Sequence, residues 1–178
     1  MYAEILKFWF DEIDPSQWWA KDENFDRLLA ERFSAVHARA TRCELFGWRV
    51  NAKGRLAEII VLDQFSRNMY RDMPSAFVND PLALALSQEA ISAGVENQLT
   101  AMERNFLYMP FMHSESLQIH EVAIGLFKKN GINSSLDFEV KHKHIIERFG
   151  RYPHRNSILG RESTVAEVEF LKTPGSGF

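Results

Sequence analysis

Cysteine is almost missing from this sequence, since Cys43 is the only one in 178 residues. A single cysteine cannot form a disulfide within the chain. Proteins without disulfides are typical of the reducing cytoplasm, where thiols are kept reduced. The cysteine content therefore predicts a cytoplasmic protein.

Long apolar segments are missing as well. No uncharged apolar run approaches the roughly 20 residues that a membrane-spanning helix requires. The first residues, MYAEILKFWFDE, include no basic segment and soon acquire charges, unlike a secretory signal peptide. The sequence therefore predicts neither a membrane segment nor a signal peptide.

A strong excess of charge of one sign is also missing. The formal net charge is -3, without the basic balance that is usual in nucleic-acid-binding proteins. We therefore expect no nucleic-acid partner. The composition, 46% hydrophobic and 25% charged, predicts one globular domain over 1–178, with a loose tail at 172–178.

The charges that are present are distributed unevenly. Residues 1–31 contain eight acids against three basic residues, whereas 141–161 contain six lysines and arginines against one acid. Such a split can dock one end of the chain on the other, pair two copies as a homo-oligomer, or bind an anion. The alternative is that both stretches are ordinary solvated surface.

Strand-like alternation of apolar and polar residues is absent, and apolar residues recur at helical spacing instead. We predict an all-α domain of about eight helices, packed as antiparallel hairpins that recur about every 35 to 45 residues. Predicted N-caps are Asp22, Asp80, Thr100, Ser114, Ser135 and Thr164, and predicted helix ends lie at Pro15, Thr41, Gly94, Pro110, Asn130-Gly131 and Phe149-Gly150.

The stretch 54–72, GRLAEIIVLDQFSRNMYRD, is apolar on two opposite helical faces. A helix with two apolar faces is buried between layers, so this stretch predicts a central helix. Asp63 and Arg67 interrupt one apolar stripe, and Glu58 interrupts the other.

Three motifs, GRLAEIIVLDQFSRNMYRD, RNFLYMPFMHSES and FGRYPHRNSILGRESTVAEVEFL, resemble a bacterial family known as domain of unknown function 924. The resemblance runs from ILKFWF at 5–10 to the last predicted helix. It implies an all-helical fold similar to tetratricopeptide repeats, an α-solenoid-like arrangement. It implies no established activity, cofactor or catalytic residue.

Asp63 and Arg67 are spaced i,i+4, so they can pair on one face of the central helix. The pair could be a structural ion pair, a helix cap or part of a ligand site. Glu115 interrupts a second apolar stripe, and His113 and Ser114 precede it immediately after the bend expected at Pro110. Its carboxylate would suit the first turn of a helix, and the adjoining loop is a typical place for function.

The segment 151–156, RYPHRN, is the best candidate for anion binding, because arginine forks suit carboxylates and phosphates. It contributes Arg151, His154, Arg155 and Asn156. The alternative is that the arginines tie this segment to acidic residues elsewhere. His142, in the middle of an apolar stripe, is expected to be a hydrogen-bonded core residue.

Motifs for metals and nucleotides are missing. Glu139-x-x-His142 is half of a carboxylate-bridged di-metal pattern, but no second Glu-x-x-His occurs. The P-loop, Gly-x-Gly-x-x-Gly and Gly-x-Ser-x-Gly are also absent. We therefore expect no metal and no cofactor.

These observations favour a helical binding domain with a polar pocket for a small anionic ligand or a peptide terminus. The pocket would be built from Asp63, Arg67, His113, Glu115, Arg151, His154, Arg155 and Asn156. One alternative is an enzyme in which Asp63 or Glu115 is the base and His113 or His154 the acid. Another is a scaffold for a protein partner, in which every polar residue is structural. Convergence of these residues on one site would distinguish the hypotheses.

Overall fold

Helices account for all the regular secondary structure in the computed structural model, which describes residues 1–177, and no strand occurs there. The predicted all-α class is therefore confirmed. We number eight helices: α1 (Tyr2–Lys7, continued by a π-helical turn, Phe8–Glu12), α2 (Glu23–Thr41), the central helix α3 (52–69), α4 (Asp80–Ser92), α5 (Ala101–Met112), α6 (Leu117–Asn130), α7 (Asn133–Phe149) and α8 (Val165–Leu171).

Local capping residues set several of these boundaries. The Asp22 carboxylate accepts backbone hydrogen bonds at the start of α2. Thr100 and Thr164 open α5 and α8 with reciprocal capping boxes. Gly131 and Gly150 end α6 and α7 with φ of 81° and 68°, a left-handed conformation that glycine adopts without steric cost.

Other boundaries differ from the sequence prediction. Helix α5 continues past Pro110 to Met112, because the loss of one amide hydrogen leaves later bonds intact, such as His113 N–H to Met109 O at 3.1 Å. Helix α6 consequently starts late, with Ser116 rather than Ser114 as its N-cap. Glu115 therefore lies in the turn before α6 and not in its first helical turn. Helix α4 has Asn79 as its N-cap, which leaves the Asp80 carboxylate free for other partners.

The central helix α3 consists of Ala52–Ile60, a π-helical turn at Val61–Phe65, and Ser66–Met69. It packs against α1, α2, α4 and α5, and both of its faces are buried, as predicted. The third polar interruption, Glu58, is fully buried and accepts two hydrogen bonds of 2.7 Å from Arg49. The π turn carries Asp63, and such turns are frequent at functional sites.

One large apolar core spans Ile5 to Phe127, so the helices form a single domain. Consecutive helices α5, α6 and α7 pack against their neighbours through short turns, which gives antiparallel hairpins. The similarity to tetratricopeptide repeats stays a prediction. A smaller cluster of Ile145, Ile146 and Tyr152 holds the segment after α7.

The predicted loose tail, 172–178, ends at Phe178, which lies outside the described residues. The part that is described forms turns, in which Ser176 N–H donates to Thr173 O at 3.3 Å. A Cβ built on Gly177 would lie 3.6 Å from the Cβ of His154. Within 1–177, none of the helices combines the length and the apolar character needed to cross a membrane.

Candidate functional site

Asp63 is the buried centre of a polar cluster on the π turn of α3, with 1% of its side chain exposed. Its Oδ1 atom lies 3.0 Å from Arg67 Nη1 and 2.7 Å from His113 Nδ1, and its Oδ2 atom accepts from Gln64 at 2.6 Å. Burial alone would raise the pKa of Asp63, but Arg67 and His113 outweigh burial and lower it. The predicted Asp63–Arg67 pair is thus present, and Asp63 is an ionised carboxylate.

The His113 imidazole stands at the C-terminal end of α5, where the turn to α6 begins. The ionised Asp63 only accepts hydrogen bonds, so His113 Nδ1 carries the hydrogen. Burial and the charge of Arg67 lower the pKa of His113 despite the opposing effect of Asp63. The ring is therefore neutral at pH 7, and its Nε2 atom offers a lone pair. Among the described residues Nε2 has no hydrogen-bond partner, and 15% of the side chain is exposed.

Asp80, which the sequence indicated only as a helix cap, joins two arginines of this cluster. Arg67 donates to its carboxylate from both terminal nitrogens, at 2.9 and 3.0 Å. Arg155 donates to Asp80 at 3.1 Å and to the backbone oxygen of His113 at 3.1 Å. We call the group Asp63, Arg67, Asp80, His113 and Arg155 the Asp63 site.

Arg155 is buried, although a charged side chain seldom is without matched partners. Its guanidinium lies 4.6 Å from the ring centres of both Phe77 and Tyr152, as in cation–π contacts. Its Nε atom is buried and has no hydrogen-bond partner among the described residues. A buried donor of this kind marks a place where a water molecule or a ligand oxygen can complete the hydrogen bonding.

A row of aromatic rings adjoins the Asp63 site. His142 lies 6.5 Å from His113 and 5.7 Å from Tyr152, and His154 lies 5.6 Å from Tyr152, measured between ring centres. Burial lowers the pKa of His142 to about 3 and that of His154 to about 4. Both rings are therefore neutral at pH 7. As expected for a core residue, His142 is buried and donates from Nδ1 to the Phe138 carbonyl at 2.8 Å.

Three other predicted site residues belong to a second group of contacts. Glu115 accepts from Arg161 at 2.7 and 2.9 Å and from the Tyr152 backbone at 2.7 Å. Asn156 accepts from Arg161 Nε at 3.0 Å. Arg151 donates to Glu167 at 2.7 and 2.8 Å. We call Glu115, Arg151, Asn156, Arg161 and Glu167 the C-terminal network.

The structure thus divides the predicted site residues. It brings Asp63, Arg67, His113 and Arg155 together. His154 lies next to the Tyr152 ring, which Arg155 also contacts. Arg151 instead lines an open hollow of about 500 Å³ with Arg148 and Glu167. Asp80 and Arg161, which the sequence did not indicate as site residues, complete the two groups. Asp80 pairs with Arg155, 75 residues away, and Arg161 with Glu115, 46 residues away, so no local sequence pattern predicts these pairs.

No three His, Cys, Asp or Glu side chains of residues 1–177 converge on a point where they could hold a metal ion. The side chains of the Asp63 site can form hydrogen bonds, pair charges and transfer protons.

Comparison with known proteins places this chain among bacterial sequences of unknown function. A family model described as a bacterial protein of unknown function, DUF924, matches residues 5–175. A solved structure of a protein of unknown function from Agrobacterium tumefaciens is similar, with 38% sequence identity, a TM-score of 0.91 and 96% of each chain covered. No curated protein matches the chain. The chain therefore belongs to the bacterial family of unknown function DUF924.

Proposed function

We propose that this protein is a cytoplasmic binding domain for a small anionic ligand or a peptide terminus, which it holds at the Asp63 site. The observation that carries the proposal is a pair of hydrogen-bonding atoms with no partner among the described residues. They are His113 Nε2, an acceptor, and Arg155 Nε, a donor. The two side chains are adjacent, because Arg155 also donates to the His113 carbonyl at 3.1 Å.

These two atoms define the chemistry of a suitable ligand. An anionic oxygen would accept from the guanidinium of Arg155, and a hydroxyl or N–H group would donate to the neutral imidazole of His113. The terminus of a peptide, with a carboxylate next to an amide N–H, satisfies both requirements.

The formal charges of the Asp63 site cancel. Arg67 and Arg155 balance Asp63 and Asp80. Hydrogen-bond geometry at Arg155 and His113 would therefore contribute more to the selectivity for an anionic group than net charge does.

A thermal-shift screen with carboxylated and phosphorylated metabolites and short peptides tests the proposal, because a ligand that binds only the folded state raises the melting temperature. We expect the stabilisation by a hit to disappear in His113→Gln. His144→Gln is the matched control, since His144 is an exposed histidine on α7 with 69% of its side chain accessible. A hit that stabilises His113→Gln as much as the wild type would contradict the proposed site.

A second candidate function is acid–base catalysis in the same site, and the Asp63–His113 pair favours it. A buried carboxylate that orients an imidazole through Nδ1 leaves Nε2 free to take a proton from a bound molecule. Glu115 is a poorer base, because its pair with Arg161 lowers its pKa. Turnover of a hit from the screen should be lost in His113→Gln and reduced in Asp63→Asn, whereas unchanged turnover in both would exclude this role.

A further inference from the structure

The turn that presents His113 is held in an unusual way. Three consecutive backbone carbonyls in it accept hydrogen bonds from side chains, two of which lie 40 and 42 residues further along the chain and one of which lies six residues away. Tyr152 Oη donates to Met112 O, Arg155 Nη2 donates to His113 O, and His120 Nε2 lies 2.9 Å from Ser114 O. The first and third of these donors also lie 3.2 Å from each other.

Behind this turn lies a pair of fully buried titratable groups, His120 on α6 and Glu139 on α7, each with 0% of its side chain exposed. His120 Nδ1 is 2.7 Å from Glu139 Oε1. The other carboxyl oxygen, Oε2, is buried and has no hydrogen-bond partner among the described residues. The pair is separate from the Asp63 site, and neither residue contributes to the contacts described there.

The hydrogen-bond partners determine where the hydrogens must be. A carbonyl only accepts, so the bond to Ser114 requires a hydrogen on His120 Nε2. A second hydrogen must then lie between Nδ1 and Glu139, since two lone pairs would otherwise face each other at 2.7 Å. The unpartnered Oε2 agrees with an uncharged carboxyl group, because a bare buried carboxylate oxygen is costly. Burial also raises the pKa of Glu139.

We propose that Glu139, His120 and Tyr152 are positioning residues for the turn 112–114. One proton shared by Glu139 and His120 maintains the hydrogen bonds from these side chains to the carbonyls of the turn. When hydroxide removes that proton, the pair retains a single hydrogen on the imidazole. The Glu139 carboxylate draws it to Nδ1, and Nε2 becomes an acceptor. Ser114 O then loses its donor, and the Tyr152 hydroxyl can turn from Met112 O to His120 Nε2.

Four titratable groups interact electrostatically with the pair from the elements packed around it. Lys143, His142 and Glu147 lie on α7 with Glu139, and Tyr152 follows α7. Lys143 opposes the rise in the pKa of Glu139, but burial outweighs it. The proposal concerns the same turn as the proposed function and depends on no ligand, so either can fail while the other holds.

Nuclear magnetic resonance of the full chain with ¹⁵N-labelled histidine tests the hydrogen positions directly. We expect His120 to be protonated at Nε2 at neutral pH and to change to the Nδ1-protonated form at alkaline pH. Hydrogen exchange of the amides at 112–116, measured relative to those of α2, should rise by up to about tenfold over the same pH range, as loss of one buried hydrogen bond predicts. This measurement on the wild type needs no variant to fold.

Two substitutions separate the proton from the shape of the side chain. In Glu139→Gln an amide N–H can donate to Nδ1 and cannot be titrated, so exchange at 112–116 should stay low at every pH. In Glu139→Ala the partner is gone, and exchange should be high already at neutral pH. His144→Gln on the same helix is the control and should behave as the wild type does.

Three results would overturn the proposal. The first is an unprotonated Nε2 on His120 at neutral pH in the wild type. The second is a pH dependence of exchange at 112–116 that is the same in Glu139→Gln as in the wild type. If the carboxyl group were purely structural, its replacement would lower the melting temperature without removing that pH dependence. The third is low exchange at 112–116 in Glu139→Ala.

Discussion

The Asp63 site and the C-terminal network use the same residue types for different ends. In the C-terminal network each carboxylate receives a two-pronged arginine, Glu115 from Arg161 and Glu167 from Arg151. In the Asp63 site two arginines share Asp80, and an imidazole replaces the second fork at Asp63. One-to-one pairs of an arginine with a carboxylate satisfy both partners and hold a segment in place. Where two arginines share one carboxylate, some of their polar atoms remain without a hydrogen-bond partner, as Arg155 Nε does among the described residues. The comparison indicates that incomplete pairing, more than the number of charges, distinguishes the candidate site.

The largest expected effect comes from removing the centre of the Asp63 site. Asp63→Ala should lower the free energy of unfolding by about 3–5 kcal/mol, because it removes one half of a buried ion pair and leaves the buried donors of His113 and Gln64 without their acceptor. Chemical denaturation measures this, with Asp137→Ala on the exposed face of α7 as the control. An unchanged denaturation midpoint in Asp63→Ala would contradict the distinction drawn between the Asp63 site and the C-terminal network.

Of the two arginines in the segment 151–156, Arg155 should be the one whose substitution destabilises the protein more. Arg155→Gln loses charge-assisted bonds to Asp80 and to the His113 carbonyl, and should lower the free energy of unfolding by about 2–3 kcal/mol. It should also abolish binding of any ligand found in the screen. Denaturation and calorimetry together check this, and full affinity in Arg155→Gln would exclude its guanidinium from the site.

Mild acid should lower the stability of the protein through His142, which lies beside the Asp63 site, and should not act on the C-terminal network. Its pKa is about 3 in the folded protein against 6.5 for a free histidine, so between these values the unfolded chain binds a proton that the folded chain does not. Stability from this group is complete above pH 6.5 and falls on acidification, by up to about 2 kcal/mol between pH 6.5 and 5.

Denaturation at a series of pH values checks this expectation. His142→Gln should reduce the slope between pH 6.5 and 5, and the slope that remains comes from other buried histidines such as His154, whose pKa is also lowered by burial. Glu167→Gln should leave that slope unchanged, because the pKa of Glu167 is lowered to about 2 and its carboxylate stays ionised throughout the window. Equal slopes in the wild type and His142→Gln would show that His142 is not buried in its neutral form.

The smallest effect is expected at the edge of the C-terminal network. Arg151→Gln breaks the fork to Glu167 at a partly exposed position, so global stability and ligand binding should change little. Amide exchange should nevertheless rise in the segment 162–171, which this fork fastens. Loss of ligand affinity in Arg151→Gln would join the two regions into one site.

Local features of the fold were predictable because their partners are close in the chain. The caps at Asp22, Thr100 and Thr164 bond amides two or three residues away, and the glycine ends at Gly131 and Gly150 depend on backbone conformation alone. The continuation of α5 through Pro110 was not predictable, since neighbouring helices stabilise a helix end that its own sequence disfavours. That continuation placed Glu115 outside α6 and beside Arg161.

By itself the sequence determined the helical class, the central helix and the Asp63–Arg67 pair, whose four-residue spacing is a property of any helix. Only the tertiary structure decided which other groups meet them. Asp63 and His113 are 50 residues apart, Glu115 and Arg161 46, and Asp80 and Arg155 75. The residue types suit such contacts, but the packing of the helices selects one partner among many carboxylates and arginines, and spacing along the chain does not encode that packing.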